Sequence, residues 1–239
     1  MPAFLVHGVP DTAMLWDDLR THLDRTDVIA PSMPGFTTPV PDGFDATKEA
    51  YAAWLIAQVE AVGEPVDIVG HDWGAMLVQR LVSLRPDLVR TWAVGSGPLD
   101  TEYVWHDTAK IWQTPGAGEQ LMQAFTPDAM AGVLAQQGLD AAYARSVAEN
   151  IDETMKDCIL KLYRSATKVA QDWTPLSAPG PPGLVIFGAD DPYVPPVYGE
   201  RLAARTGAKF VAFEGCSHWW PHQRAADAAA MLNAHWASV

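Results

Sequence analysis

Cysteine is almost missing from this chain: Cys158 and Cys216 are the only two among 239 residues, and they lie far apart. Such a pair builds neither a disulfide framework nor a thiolate metal site. Positive charge is scarce as well. Against 29 Asp and Glu stand only 16 Lys and Arg, a formal net charge of −13. A surface of that sign repels phosphate backbones and anionic headgroups, so neither nucleic acid nor a membrane is expected as a partner. No apolar run reaches the length of a bilayer span, and Met1–Val6 lacks the basic flank and the length of a secretory signal. The expectation is a cytoplasmic protein. Internal repeats and low-complexity tracts are absent too. What the chain does have is apolar material, 49% hydrophobic residues, enough for one sizeable core.

That material is patterned. Short runs rich in β-branched and aromatic residues each end in a turn, and helical stretches lie between them. Ala3–Val6 runs into His7-Gly8-Val9-Pro10, Asp27–Ala30 into Pro31–Gly35, and Val66–Val69 into Gly70 and Asp72. Thr91–Val94 runs into Gly95–Pro98, Gly183–Phe187 into Gly188 and an acidic turn, and Lys209–Phe213 into Glu214–His218. Helical patterning covers Thr47–Val62, Gly74–Leu84, Pro195–Thr206 and Arg224–Trp236. Buried strands alternating with helices predict an α/β fold, a mostly parallel sheet covered on both faces. The alternation breaks between Leu99 and Pro182, where the pattern is helical and ends in the Pro- and Gly-containing linker Ser177–Pro182. This segment reads as a helical cap, residues 99–182, inserted into a core of residues 1–98 and 183–239.

Open α/β sheets carry their sites beyond the carboxyl ends of the strands. The turns at that rim deliver His7-Gly8-Val9-Pro10, Asp72, Asp191 and His218. Gly70-His71-Asp72-Trp73-Gly74, between a strand and a helix, has the form of a nucleophile elbow with Asp where Ser is usual. The elbow strains the backbone, so the residues two positions to either side must be small. The helix that follows aims its first N–H groups at the site. The residue type then decides the chemistry. A serine needs a base before it attacks. A carboxylate is ionised already and can displace at a saturated carbon, giving an ester that water cleaves at the carboxyl carbon. An elbow Asp therefore points away from peptide or ordinary ester hydrolysis.

His218, after the last strand, is the candidate base for that water. His222 lies farther from the strand end, His71 reads as part of the elbow, and His22 and His235 read as helix-surface residues. Asp191 is favoured over Asp190 as the acceptor for the His218 ring N–H, with Asp100 a third candidate. The backbone N–H groups of Val9 and Trp73 are the candidate oxyanion donors, while Pro10 has none to give. Trp73, Trp105, Trp112 and Trp219 suggest an aromatic-lined pocket for a small apolar substrate. No residues pattern as metal ligands, and no step of this chemistry calls for a cofactor.

The ordered set HGVP, GHDWG, GADDP and GCSHW, running from Ala3 onward, resembles the epoxide hydrolase and haloalkane dehalogenase branch of the α/β hydrolases. Haloalkane dehalogenases carry Asn in the oxyanion turn or a second Trp in the cap to hold the halide; here the turn has Val9. Haloacetate dehalogenases carry Arg after the nucleophile; here that residue is Trp73. Epoxide hydrolases carry cap tyrosines that protonate the epoxide oxygen, and Leu162-Tyr163-Arg164 looks like the region of the second, which makes Tyr163 the implied donor. Trp112-Gln113-Thr114-Pro115-Gly116 resembles the early cap segment and puts the first tyrosine position on or near Thr108. His106, about half a turn away, is a candidate replacement, and Tyr103, Trp105 and Lys110 are in range. The resemblance implies an epoxide hydrolase first, and second a dehalogenase using the same Asp72 and His218. A non-catalytic ligand-binding protein on the same fold is the reading from another class. The family has two strands before its HGxP strand, whereas this chain starts at that strand. Asp27–Ala30 would then lie at the sheet edge, where edge pairing implies a homodimer unless Pro31 and Pro34 blunt it.

Overall fold

The computed structural model describes residues 1–239. Six strands form one sheet: β1 Ala3–Val6, β2 Val28–Ile29, β3 Val66–His71, β4 Val89–Gly95, β5 Gly183–Gly188 and β6 Lys209–Phe213. Their order is β2-β1-β3-β4-β5-β6, and every neighbouring pair is parallel. All six expected strands are present. The second is shorter than expected, two residues at the sheet edge, because Pro31 has no N–H with which to extend a ladder.

The period-two alternation of each strand divides the core. Phe4, Val6, Ile68, Trp92, Val94, Val185 and Phe187 face one side. Ala3, Leu5, Val69, Ala93, Leu184 and Ile186 face the other. Both sides are covered, so β1 and β3 are buried along their whole length. Each large apolar side chain so buried contributes roughly 1.5–3 kcal/mol.

The core helices are α1 Asp17–Thr21, α2 Lys48–Glu60 and α3 Trp73–Leu84. Between β4 and β5 lie α4 Asp107–Gln113, α5 Ala117–Gln123, α6 Pro127–Gln136, α7 Ala141–Asn150, α8 Glu153–Ser165 and α9 Val169–Asp172. After β5 come α10 Val197–Thr206, α11 Trp220–Gln223 and α12 Ala225–Ala237. The expected core helices stand within two residues of their predicted ends. Local chemistry sets those ends. Thr47 caps α2 by accepting the Ala50 N–H, and Thr126, Asp140 and Asp152 do the same for α6, α7 and α8. His22 is exposed at the end of α1. His235 is not the surface residue expected: it is half-buried on α12, and burial lowers its pKa.

Asp67, buried in β3, has an explanation that is purely structural. Its carboxylate accepts hydrogen bonds from Arg25 at 2.8 Å, from Arg90 at 2.8 Å and from Thr91 at 2.7 Å. It lies at the opening of β3, a strand's length from the rim where Asp72 follows the strand's end.

Candidate active site

β3 ends at His71 and α3 begins at Trp73, so Asp72 carries the whole reversal of the chain. It does so at φ 53° and ψ −122°, a conformation a non-glycine residue holds only under constraint. The constraint is visible. Asp72 N–H donates to Gly95 O at 3.0 Å, and Asp72 O accepts from Ala75 N–H at 2.9 Å. A Cβ on Gly74 would fall 2.1 Å from Val6 O, and one on Gly8 would fall 2.3 Å from Asp72 Oδ1. Glycine at these two positions lets the elbow pack against β1 and the carboxylate tuck under the following turn.

The two carboxylate oxygens are in different surroundings. Oδ1 accepts the Val9 N–H at 2.7 Å. Oδ2 has His218 Nε2 at 3.6 Å, an ion-pair distance longer than a hydrogen bond. Trp73 N–H makes no hydrogen bond to the carboxylate, so only one of the two expected oxyanion donors is engaged. As the first N–H of α3 it has no partner within the helix. Burial alone would raise the Asp72 pKa. The nearby charge of His218, with His71 and the Val9 N–H, outweighs that and holds it below the ordinary value.

His218 is 2% exposed. Its Nδ1 lies 2.9 Å from Asp191 Oδ2. Asp191 Oδ1 in turn accepts the N–H groups of Tyr193 at 2.9 Å and Val194 at 3.0 Å. Burial would raise the Asp191 pKa, but His218 and these donors leave it lowered. The carboxylate fixes the His218 tautomer, with Nδ1–H donating and Nε2 turned toward Asp72. Burial would strip His218 of its proton. Asp191 first and Asp72 second outweigh burial and raise its pKa to about 10.

The alternatives lie elsewhere. Asp190 is exposed. Asp100 pairs with Arg205 at 2.9 Å and Arg201 at 3.5 Å. His222 is held by Asp140 at 2.7 Å. His71 is buried and donates from Nε2 to the backbone O of His218 at 2.9 Å, so it supports the loop that bears the base. His7 donates from Nδ1 to Gly8 O at 2.8 Å and accepts Met33 N–H at Nε2 at 2.9 Å. Burial lowers the pKa of His7 and of His71 to about 4.

Above Asp72 lies a cavity of about 300 Å³ between the sheet rim and the helices of the insertion. Its wall contains no Lys or Arg, and Asp72 is its one acidic residue. All four expected tryptophans line it. Trp73 stacks on Trp105 with centroids 5.9 Å apart. Tyr163, in the last turn of α8, packs edge-on to Trp73 at 5.4 Å and to Trp112 at 4.8 Å. Burial, with Asp72 nearby, keeps the Tyr163 hydroxyl protonated well beyond the ordinary tyrosine range. The indole N–H groups of Trp73 and Trp112 are buried without a partner. Trp219 differs: its indole N–H is taken up by Asp11 Oδ2 at 3.0 Å.

His106 lines the same cavity and caps α4, accepting the Ala109 N–H on Nδ1 at 3.2 Å. Burial lowers its pKa to about 4. The ring is therefore neutral with its proton on Nε2, a hydrogen-bond donor rather than a strong acid. Thr108 and Tyr103 also line the cavity, whereas Lys110 pairs with Asp107 at the surface. Sequence reasoning missed Asp11, Tyr193, Met76, Phe125, Met130 and Val133. Apolar residues that face a cavity carry the same periodicity as those that face a core. Asp11 had a signal: an acid directly after the HGVP turn, next to an apolar run.

Residues 3–231 match the alpha/beta hydrolase family. An (E)-2-((N-methylformamido)methylene)succinate hydrolase from Acinetobacter baylyi is 24% identical over 197 residues, 80% of this chain and 73% of its own. A haloalkane dehalogenase from Mycolicibacterium paratuberculosis is 26% identical over 212 residues, 80% of this chain and 68% of its own. An epoxide hydrolase structure from Vigna radiata superposes with a TM-score of 0.83 at 20% identity, covering 100% of this chain and 92% of that one. A haloalkane dehalogenase structure from Bradyrhizobium elkani gives 0.77 at 20% identity, with 100% and 91% covered.

Proposed function

We propose that this chain, which belongs to the alpha/beta hydrolase family, opens epoxides to vicinal diols through an ester on Asp72. The observation that carries the reading is the state of that carboxylate. One oxygen is held by Val9 N–H, and the other faces His218 beside a cavity that also presents the Tyr163 hydroxyl.

In the first step Oδ2 attacks an epoxide carbon and the carbon–oxygen bond of the ring breaks. The electron pair goes to the ring oxygen, which takes a proton from Tyr163 with His106 Nε2–H as a second donor. The product is a glycol ester of Asp72, with Oδ1 as its carbonyl oxygen under Val9. Esterification removes one of the two charges that hold the proton on His218; that proton is lost and Tyr163 regains one, so the imidazole is released to act as a base. It takes a proton from water, the hydroxide adds to Cγ, and the oxyanion at Oδ1 is met by the N–H groups of Val9 and Trp73. On collapse the imidazolium returns its proton to Oδ2, which leaves as the new hydroxyl of the diol, and the acid proton left on Asp72 passes to His218 to restore the ion pair. A mostly apolar wall with no Lys or Arg favours an uncharged, apolar substrate.

A single turnover in ¹⁸O-labelled water tests this route. The first diol should contain only ¹⁶O from Asp72, and label should enter Asp72 instead. A fully labelled first diol excludes the covalent path.

A second reading has an observation of its own. The two unpartnered indole N–H groups of Trp73 and Trp112 are donors awaiting an acceptor, and a leaving halide would serve. Halide release from a haloalkane panel, at rates above those on epoxides, would give this reading precedence.

A further inference from the structure

Asp11 is a buried acid that the proposed mechanism does not use. It follows the Val9-Pro10 turn and is 1% exposed. Both of its oxygens are engaged, each by a different part of the molecule. Oδ2 accepts the indole N–H of Trp219 at 3.0 Å, and Oδ1 accepts the hydroxyl of Tyr143 at 3.3 Å. Trp219 follows the base, and its ring lies 5.1 Å from that of His218. Tyr143 belongs to α7, in the insertion between β4 and β5.

The surroundings repeat the theme. Ser217 Oγ–H donates to Gln137 O at 2.6 Å, and Gln223 Nε2 donates to Gly138 O at 2.8 Å. His222 reaches Asp140 at 2.7 Å and stacks on Tyr143 with centroids 3.9 Å apart. The corner between α6 and α7 is thus fastened to the loop that bears His218. Of these contacts, the one at Asp11 also holds a ring against the base.

We propose that Asp11 is a positioning residue for ester hydrolysis, tying the Trp219 indole and the His218 loop to Tyr143 of the cap. It touches neither substrate nor reacting atoms. It acts through Trp219, whose ring limits how far the His218 imidazole can swing once the ion pair with Asp72 is lost on esterification. At that stage Asp191 is the one charged partner left to the base, so restraint of the imidazole by the rings packed on it, Trp219 among them, matters most there. A carboxylate suits the position because it can accept from two donors that approach from opposite sides.

The charged and titratable groups around Asp11 are Asp72 and His218 on the core side, and Tyr143, His222, Asp140 and Asp17 toward the cap and the Asp17 helix. Burial, with Asp72 adding to it, raises Asp11 to about 7 against the pull of Trp219, His218 and Tyr143. Asparagine in its place can accept from Trp219 and donate to Tyr143, so it keeps the tie without the charge.

This inference rests on the ester route above, and its test is built to fail separately. Ester formation and ester hydrolysis are measured by rapid quench in Asp11→Ala, Tyr143→Phe and Asp11→Asn. In the first two, ester formation should stay within about twofold while hydrolysis falls about tenfold, a loss of roughly 1.4 kcal/mol in that step. Asp11→Asn should restore most of the rate. Equal loss in both steps, or no loss in either Ala or Phe variant, overturns the assignment. If no substrate yields an ester, the functional reading fails, but NMR of the His218 Nδ1–H still judges Asp11. That proton should exchange with water faster in Asp11→Ala and Tyr143→Phe and at the original rate in Asp11→Asn. Unchanged exchange in the first two overturns the assignment independently of turnover.

Discussion

Asp72 and Tyr163 divide the proposed ring opening between them, and each is set for its part by opposite electrostatics. Asp72 is kept ionised because His218, His71 and Val9 N–H outweigh its burial. Tyr163 is kept protonated because burial disfavours the phenolate and the Asp72 charge adds to it. A hydroxyl so placed helps only while charge grows on the ring oxygen. Tyr163→Phe should therefore slow ester formation by about a hundredfold and leave ester hydrolysis near its original rate, as read by single-turnover quench. A loss confined to hydrolysis would remove Tyr163 from the donor role. His106 is a weaker partner, since its neutral Nε2–H can donate a hydrogen bond but holds its proton tightly.

At the scale of elements, the helices of the insertion shape what can enter. Ile111 on α4 and Val133 on α6 line the cavity, yet they are 40% and 46% exposed. We infer that these two helices border the opening of the cavity to solvent. Leu121, Phe125 and Met130 continue the same apolar wall inward. An apolar tail lying along that wall would be drawn from water at about 0.8 kcal/mol per methylene. Val133→Asp should raise KM about tenfold for 1,2-epoxyalkanes with long tails, change it little for epoxypropane, and leave kcat in place. An equal effect on short and long substrates would put the mouth elsewhere.

For the whole molecule, the buried titratable groups set opposite arms of a stability profile. Asp72 and Asp191 have lowered pKa values in the fold. Their contribution is present above the ordinary carboxylate value of 3.8 and is lost as pH falls through their folded values. His218 is raised from 6.5 to about 10. Its contribution is whole below 6.5 and is lost as pH rises through about 10. Asp11 is raised from 3.8 to about 7, so its contribution is present below 3.8 and fades as pH rises through about 7. The Tm should thus decline from neutral toward pH 10 as well as below pH 4. Asp11→Asn should flatten the change between pH 4 and 7, seen as a Tm that gains on the unsubstituted protein at the upper end of that window. A Tm difference independent of pH would mean that Asp11 does not titrate there.

The amino-acid order alone determined the frame and the chemistry-bearing turns. Strand alternation, the Gly70-His71-Asp72-Trp73-Gly74 elbow, Asp191 and His218 are all short-range patterns, and each is set by contacts within a few residues: small neighbours beside a strained φ, an acid just after a strand end. The six strands and the joining of Asp72, His218 and Asp191 at one rim follow from those patterns, because a parallel sheet brings every strand's carboxyl end to the same edge. Tertiary structure decided the rest. It decided that Trp219 gives its indole N–H to Asp11 while those of Trp73 and Trp112 are buried without a partner, that the Trp73 backbone N–H makes no hydrogen bond to the Asp72 carboxylate, and that His235 is sheltered rather than exposed. These outcomes depend on side chains more than a hundred positions apart, such as Asp11 and Tyr143, whose meeting depends on how the insertion settles on the sheet. Local spacing carries no information about that meeting: the sequence marks Asp11 as an acid beside the HGVP turn, and the fold alone shows which residues it ties together.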